Sequence, residues 1–196
     1  DDDSLNISMA AVPGITEQQV QNELITLAEN SQNFLAVVAP PEGLTTPQKA
    51  INWHNGQGDG RTASINSSYA AIYWPWLKVF DVATATDIYL DPAAYAISVM
   101  CHTDAVSDPW FAPAGLTRGR LTKPTDVEVI LNQGDRDSLY QPGNAVNPIA
   151  KFAQDGICIW GQRTAQRTPS ALDRVNVRRM MIQIRKVILA ATRQIV

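Results

Sequence analysis

Hydrophobic and polar positions alternate loosely from Leu5 to Val12 and give way to Pro13-Gly14, a pattern that predicts a strand closed by a turn. Thr16 stands as a cap for the next segment, where Val20, Leu24, Leu27 and Ala28 recur on one face of a helix running to Asn30. The unbroken apolar run Phe34 to Ala39, stopped by Pro40-Pro41, has the character of a strand buried on both sides. Thr46-Pro47 opens a second helix through His54, ended by the glycine-rich loop 55–61. Tyr69 to Phe80 is aromatic and apolar and predicts a core strand interrupted at Pro75. Asp91-Pro92 begins a helix that continues to Asp104, and Val127 to Leu131 alternates as a strand. Asp135 to Tyr140 forms a short helix closed by Pro142-Gly143, and Gly156 to Gly161 is another apolar strand.

The last element has the clearest pattern. Ser170 and Asp173 have the spacing of a capping box, in which hydroxyl and carboxylate satisfy the free amides of a helix start. Behind them Val177, Met181, Ile184, Ile188, Ala191 and Ile195 recur at intervals of four and three. Such a stripe is expected to pack on the body of the molecule. Arg174, Arg178, Arg185 and Lys186 lie largely off it, and are expected to stay exposed as candidate contacts to a partner. Strands alternating with helices predict an α/β fold, a mixed sheet flanked by helices. No repeat or low-complexity linker divides the chain, so residues 1–196 read as one unit whose weakest joints are 55–68 and 112–126.

Composition narrows the class. With 45% hydrophobic and 18% charged residues, the chain is too apolar for disorder, and at 196 residues it can bury roughly 70% of its unfolded surface. No apolar run approaches the roughly 20 residues that span a bilayer. The start Asp1-Asp2-Asp3-Ser4 has neither an initiator Met nor a signal sequence and is expected to be cut from a longer chain. Cys101 and Cys158 define no disulfide framework or zinc site and are expected to be reduced and buried. The net charge of -3 hides an asymmetry: residues 1–50 balance at -6 and residues 151–196 at +7. That polarity suits head-to-tail association, or equally two solvated faces.

Candidate chemistry is thin. His54 and His102 form no pair able to grip a metal from one helix face. Cys101 and His102 are adjacent, but neighbours on a helix point about 100° apart, so adjacency makes no dyad. The Gly56-Gln-Gly-Asp-Gly60 run lacks the strand, helix and Lys-Ser/Thr of a phosphate loop. Asn6-Ile-Ser8 and Asn66-Ser-Ser68 match the glycosylation triplet and carry no weight without a secretory context. The pI near 5.3, and bases not interleaved with aromatics, argue against nucleic acid. No catalytic constellation assembles, and no cofactor or metal is expected. Trp74, Trp76, Trp110 and Trp160 are expected to form the structural core.

A series of strings then appears in order. Tyr69-Ala-Ala-Ile-Tyr-Trp-Pro-Trp-Leu-Lys-Val-Phe80 is followed by Leu90-Asp-Pro92, Ala94-Tyr-Ala-Ile-Ser-Val99 and Asp104. Trp110-Phe-Ala-Pro-Ala-Gly115 comes next, then Leu139-Tyr-Gln-Pro-Gly-Asn144 and Val146-Asn-Pro-Ile149. Gly156-Ile-Cys-Ile-Trp-Gly-Gln-Arg-Thr164 and Val175-Asn-Val-Arg-Arg179 complete it. Together, across residues 10 to 190, they resemble the tail sheath proteins of contractile phages, with Trp110 to Gly115 the most specific match.

The resemblance implies a structural subunit. Such proteins stack in helical rows around an inner tail tube, join a baseplate, and shorten to drive the tube through an envelope. Their middle domain is similar in outline to subtilisin without its catalytic triad, and neither His-Gly-Thr nor Gly-Thr-Ser-Met-Ala occurs here. The family's further C-terminal region, which supplies strand exchange between subunits and tube contact, is expected to be absent from residues 1–196. The chain alone is therefore expected to be a monomer, without membrane insertion. The implied location is the virion tail, assembled in the host cytoplasm. The sheath of a phage-derived bacteriocin or secretion-like particle is the alternative in the same class. From other classes come a degenerate hydrolase, with Cys101 and His102 lining one cleft, and a nucleotide-binding α/β domain, which the missing phosphate loop argues against.

Overall fold

A computed structural model of the chain describes residues 6–193. The first half alternates strand and helix: β1 (Met9–Ala10), α1 (Gln18–Ser31), β2 (Leu35–Val38), α2 (Pro47–His54) and β3 (Ala70–Trp74). A hairpin of β4 (Leu77–Asp81) and β5 (Thr86–Leu90) leads into α3 (Pro92–Val106). Short elements follow, α4 (Gly115–Arg118), β6 (Arg120–Leu121) and β7 (Asp126–Val127), before α5 (Gln133–Tyr140). The chain then forms β8 (Val146–Phe152), β9 (Gly156–Ile159), a 3-10 turn at Ala171–Asp173 and the long α6 (Val175–Arg193).

Six strands make the main sheet, in the order β1-β2-β3-β8-β9-β6. Its first four strands run parallel, and β9 and β6 add antiparallel. A separate antiparallel sheet holds β5-β4-β7. Side chains alternate across the main sheet and separate two cores. Ala36, Val38, Ile72, Trp74 and Val146 face α1, α2 and α5, with Ile25, Ala28, Trp53 and Leu139 packed on them. Leu35, Val37, Ala71, Tyr73 and Ile149 face α3 and α6, with Ala96, Met100, Val175 and Ile182 packed on them. This three-layer arrangement buries central strands on both faces, which is why β2 and β3 read as continuous apolar runs. The mixed α/β class expected from the sequence is the class observed.

Several expectations need correction. The run 69–80 is two strands in two different sheets, divided at the cis Trp74–Pro75 bond. The strand expected from Val127 to Leu131 shrinks to β7, whose only ladder is two residues long on β4. The seven-residue β8 was not expected, because a proline argues against a central strand. Pro148 sits where pairing with β3 ends and pairing with β9 begins at Ile149, and its carbonyl still accepts from Trp160 N at 2.8 Å. Glu17, not Thr16, occupies the N-cap position of α1, with no side-chain cap, and the buried face is Gln21, Ile25 and Ala28, while Val20 and Leu27 are exposed. Ser170 caps only the 3-10 turn, and Asp173 binds arginines instead of closing a capping box on α6. Cys158 is buried, but Cys101 is exposed.

Candidate assembly surface

The expected apolar stripe on α6 is not the face that packs. Val175, Arg178, Arg179 and Ile182 are buried, whereas Met181, Ile184 and Ile188 are exposed. Ile195 lies outside the described residues. Two arginines enter the protein because each finds a specific cradle. Arg178 lies over the Tyr69 ring at 4.0 Å and donates to Ser68 Oγ, and burial lowers its pKa. Arg179 donates to the Asp104 carboxylate with its side chain almost wholly enclosed. A buried guanidinium without such partners would cost several kcal/mol.

The expectation that Arg174, Arg178, Arg185 and Lys186 form an exposed basic face is therefore corrected for Arg178, and the other three are engaged within the chain. Arg174 reaches Asp173 at 3.3 Å and Tyr140 Oη at 2.6 Å. Arg163 reaches the same aspartate at 2.8 Å, and both guanidinium groups stack on the Tyr140 ring. This cluster anchors the start of α6. Arg185 donates to Asn33 Oδ1 at 2.6 Å, and Lys186 donates to Asn6 Oδ1 at 2.8 Å and Ile7 O at 2.6 Å. Lys186 thus ties α6 to the N-terminal segment.

The tryptophans also divide. Trp74 and Trp76 are buried, and Trp76 Nε1 donates to Pro40 O at 2.8 Å. Trp110 and Trp160 are 47% and 41% exposed and do not belong to the core. Trp160 stacks on Phe152 at 4.9 Å, and the Trp110 carbonyl accepts a hydrogen bond from Asn176 Nδ2 at 3.0 Å. Trp53, not singled out in the sequence, is fully buried beneath the Arg61 guanidinium at 4.7 Å. Arg61 also ties loop 55–68 to α1 through Asn22 at 2.9 Å and Gln21 at 2.8 Å.

Asn147 does more for the scaffold than the sequence indicated. Its Nδ2 donates to Ile72 O at 2.9 Å and Arg163 O at 2.7 Å, and its Oδ1 accepts from Arg163 N at 2.5 Å. A side chain on Gly161 would put its Cβ 2.9 Å from Asn147 Cα and Oδ1. Two of the strings read from the sequence, around Val146-Asn147 and Gly161-Gln-Arg163, therefore meet as one structural knot.

Cys101 and His102 are both exposed on α3 and line no cleft described in the molecule. Cys158 is pushed up by burial and by Asp155, away from a reactive thiolate. His54 is buried, and burial holds its pKa down to about 4. Among the described residues no three His, Cys, Asp or Glu side chains gather where they could hold a metal. No helix among them is long and apolar enough to cross a membrane.

The fold is a mixed α/β scaffold that leaves aromatic and apolar side chains on its surface. Residues 4–165 match the phage tail sheath protein central domain, and the chain belongs to that family. The tail sheath protein of Vibrio phage KVP40 is 31% identical over 170 residues, covering 80% of this chain and 25% of that protein. That of Enterobacteria phage T4 is 30% identical over 174 residues, covering 84% and 26%. The chain thus spans about a quarter of the length of these relatives. In fold it is similar to the anti-feeding prophage helical sheath in its contracted state, with a TM-score of 0.72 at 23% identity over 99% of this chain and 49% of that one. The contracted sheath of an extracellular contractile injection system matches with a TM-score of 0.75 at 23% identity, over 94% and 47%.

Proposed function

We propose that this chain is the central portion of a contractile tail sheath subunit, a structural part of a phage virion and not an enzyme. In this reading its copies polymerise around an inner tail tube on a baseplate, and the assembled sheath contracts to drive the tube through the host envelope. Assembly takes place in the host cytoplasm. The observation that carries the reading is the family match over residues 4–165, together with about 30% identity to phage tail sheath proteins. The phage reading is preferred over an extracellular injection particle because the identity with phage sheaths is higher, whereas the injection-system sheaths share the fold at 23%.

The mechanics follow from the packing. A subunit that shifts against its neighbours needs a rigid body, and two cores on opposite sides of one sheet supply it. Contacts that re-form in a second packing are best made from many weak surface interactions, each worth about 0–1 kcal/mol for an exposed ion pair. Negative-stain imaging of the natural-length protein tests the proposal. Hollow tubes or stacked rings are expected. A protein that forms no ordered polymer, alone or with its tail tube, would refute it.

A further inference from the structure

α6 has two sides with different fates. At about 100° per residue, the buried set Val175, Arg178, Arg179 and Ile182 and the exposed set Met181, Ile184 and Ile188 lie roughly 135° apart around the axis. An apolar stripe turned away from the body it rests on calls for a second body. α1 has a matching outer stripe. Val20 and Leu27 are exposed and Leu24 is half-buried, one turn apart on a single side, while Gln21, Ile25 and Ala28 face the core.

The two helices are complementary in charge and placed for repetition. Arg178 and Arg179 are buried on the inner side of α6, and Arg185 is the base that borders its outer stripe, with no acid on the helix. α1 carries Glu23 and Glu29 and no base, with Glu23 bordering its own. Pairing α6 with another α6 would bring the two Arg185 side chains to one seam, whereas pairing it with α1 sets Arg185 against Glu23. α1 and α6 pack on opposite faces of the main sheet, so their outer sides face away from each other. One chain cannot bring them together, but two chains can. We infer that the outer face of α6 in one copy docks on the outer face of α1 in the next. Because the two patches differ, the contact is head-to-tail and repeats in one direction. It deepens the sheath reading by naming one contact between subunits, and it rests on that reading for its biological setting. The chain is accordingly not a strict monomer.

Sedimentation velocity on the 196-residue chain tests the contact. Two helix faces make an interface in the small class, below roughly 1,200 Å², so association is expected between about 1 and 200 µM. The weight-average mass should climb from 21.4 kDa with concentration without levelling at a dimer. Ile184→Glu blocks one side and Leu27→Arg the other, and each alone should stay monomeric. Mixed in equal amounts, they retain one intact α1 face and one intact α6 face, and should form a 1:1 dimer and nothing larger. Val20→Arg and Ile188→Glu provide a second pair should either variant fail to fold, as judged by circular dichroism. A wild-type chain monomeric throughout, a Leu27→Arg chain that still dimerises, or a mixture that stays monomeric overturns the inference. Each of these leaves the sheath reading standing, since imaging of the natural-length protein tests that separately.

Discussion

Acid should weaken this protein through one residue, His54. It closes α2 fully buried, and a backbone contact at Gly143 only partly offsets the loss of water. Burial first, then the nearby charges of Arg167 and Arg61, lower its pKa from 6.5 to about 4. The unfolded chain therefore takes up a proton on His54 before the folded one does. The stability that the neutral imidazole provides is complete above pH 6.5, is lost as the pH falls, and is gone near pH 4. At 1.36 kcal/mol per tenfold change in proton affinity, the loss is about 3 kcal/mol. For a domain of this size that corresponds to roughly 6–12 °C in Tm. Asp91 and Glu128 act in the opposite sense, because burial raises their pKa and protonating them favours the folded state. Comparing wild type with His54→Leu by urea unfolding at pH 7 and pH 4.5 isolates the His54 contribution. The variant should lose distinctly less stability between the two, while His102→Gln, altered at an exposed site, should follow wild type. A His54→Leu protein with the wild-type pH slope would refute the reasoning.

Asn147→Ala should cost about 3 kcal/mol or more, because three buried hydrogen bonds lose their partner; thermal unfolding would show it as a clear fall in Tm. Trp53→Ala should cost about 3–5 kcal/mol, as emptying a large aromatic site does. Trp160→Ala should cost distinctly less, because Trp160 is 41% exposed, and chemical denaturation of both variants would establish the order. Arg178→Glu should lose about 3–5 kcal/mol by setting a buried carboxylate on the Tyr69 ring, whereas Arg185→Glu should change stability by less than about 1 kcal/mol.

What the sequence conveyed about the fold followed local rules. Thr46 accepts from the Lys49 amide and Asp91 from the Ala93 amide, so both helices begin where their Ser/Thr/Asp-Pro signals place them. β2 was legible because a parallel strand covered on both faces must be apolar throughout. β8 was not, because its proline is harmless only at a change of partner, which depends on strands far apart in sequence. β5 was missed because all five of its residues are exposed, leaving no in-out alternation to read.

α6 shows why the assembly surface was harder to read than the fold. Periodicity identifies which residues share a helix face, but it does not say which face meets the body when both sides have reasons to be covered. Here the arginine-bearing side won, because Tyr69, Ser68 and Asp104 were already placed to receive Arg178 and Arg179. Stacking and a charge-assisted hydrogen bond offset part of the cost of burying a guanidinium, and its methylene stem adds apolar contact. Those three partners come from residues 68, 69 and 104, far from α6 along the chain, so no window around the helix contained the answer. The bases expected to face a neighbour became internal staples, and the isoleucines expected to fill the core became the surface left for a neighbour. The surface that remains for assembly is therefore chiefly apolar, with charge confined to its margin. Salt should then tune association between subunits only weakly, whereas a single charge placed within the stripe should abolish it.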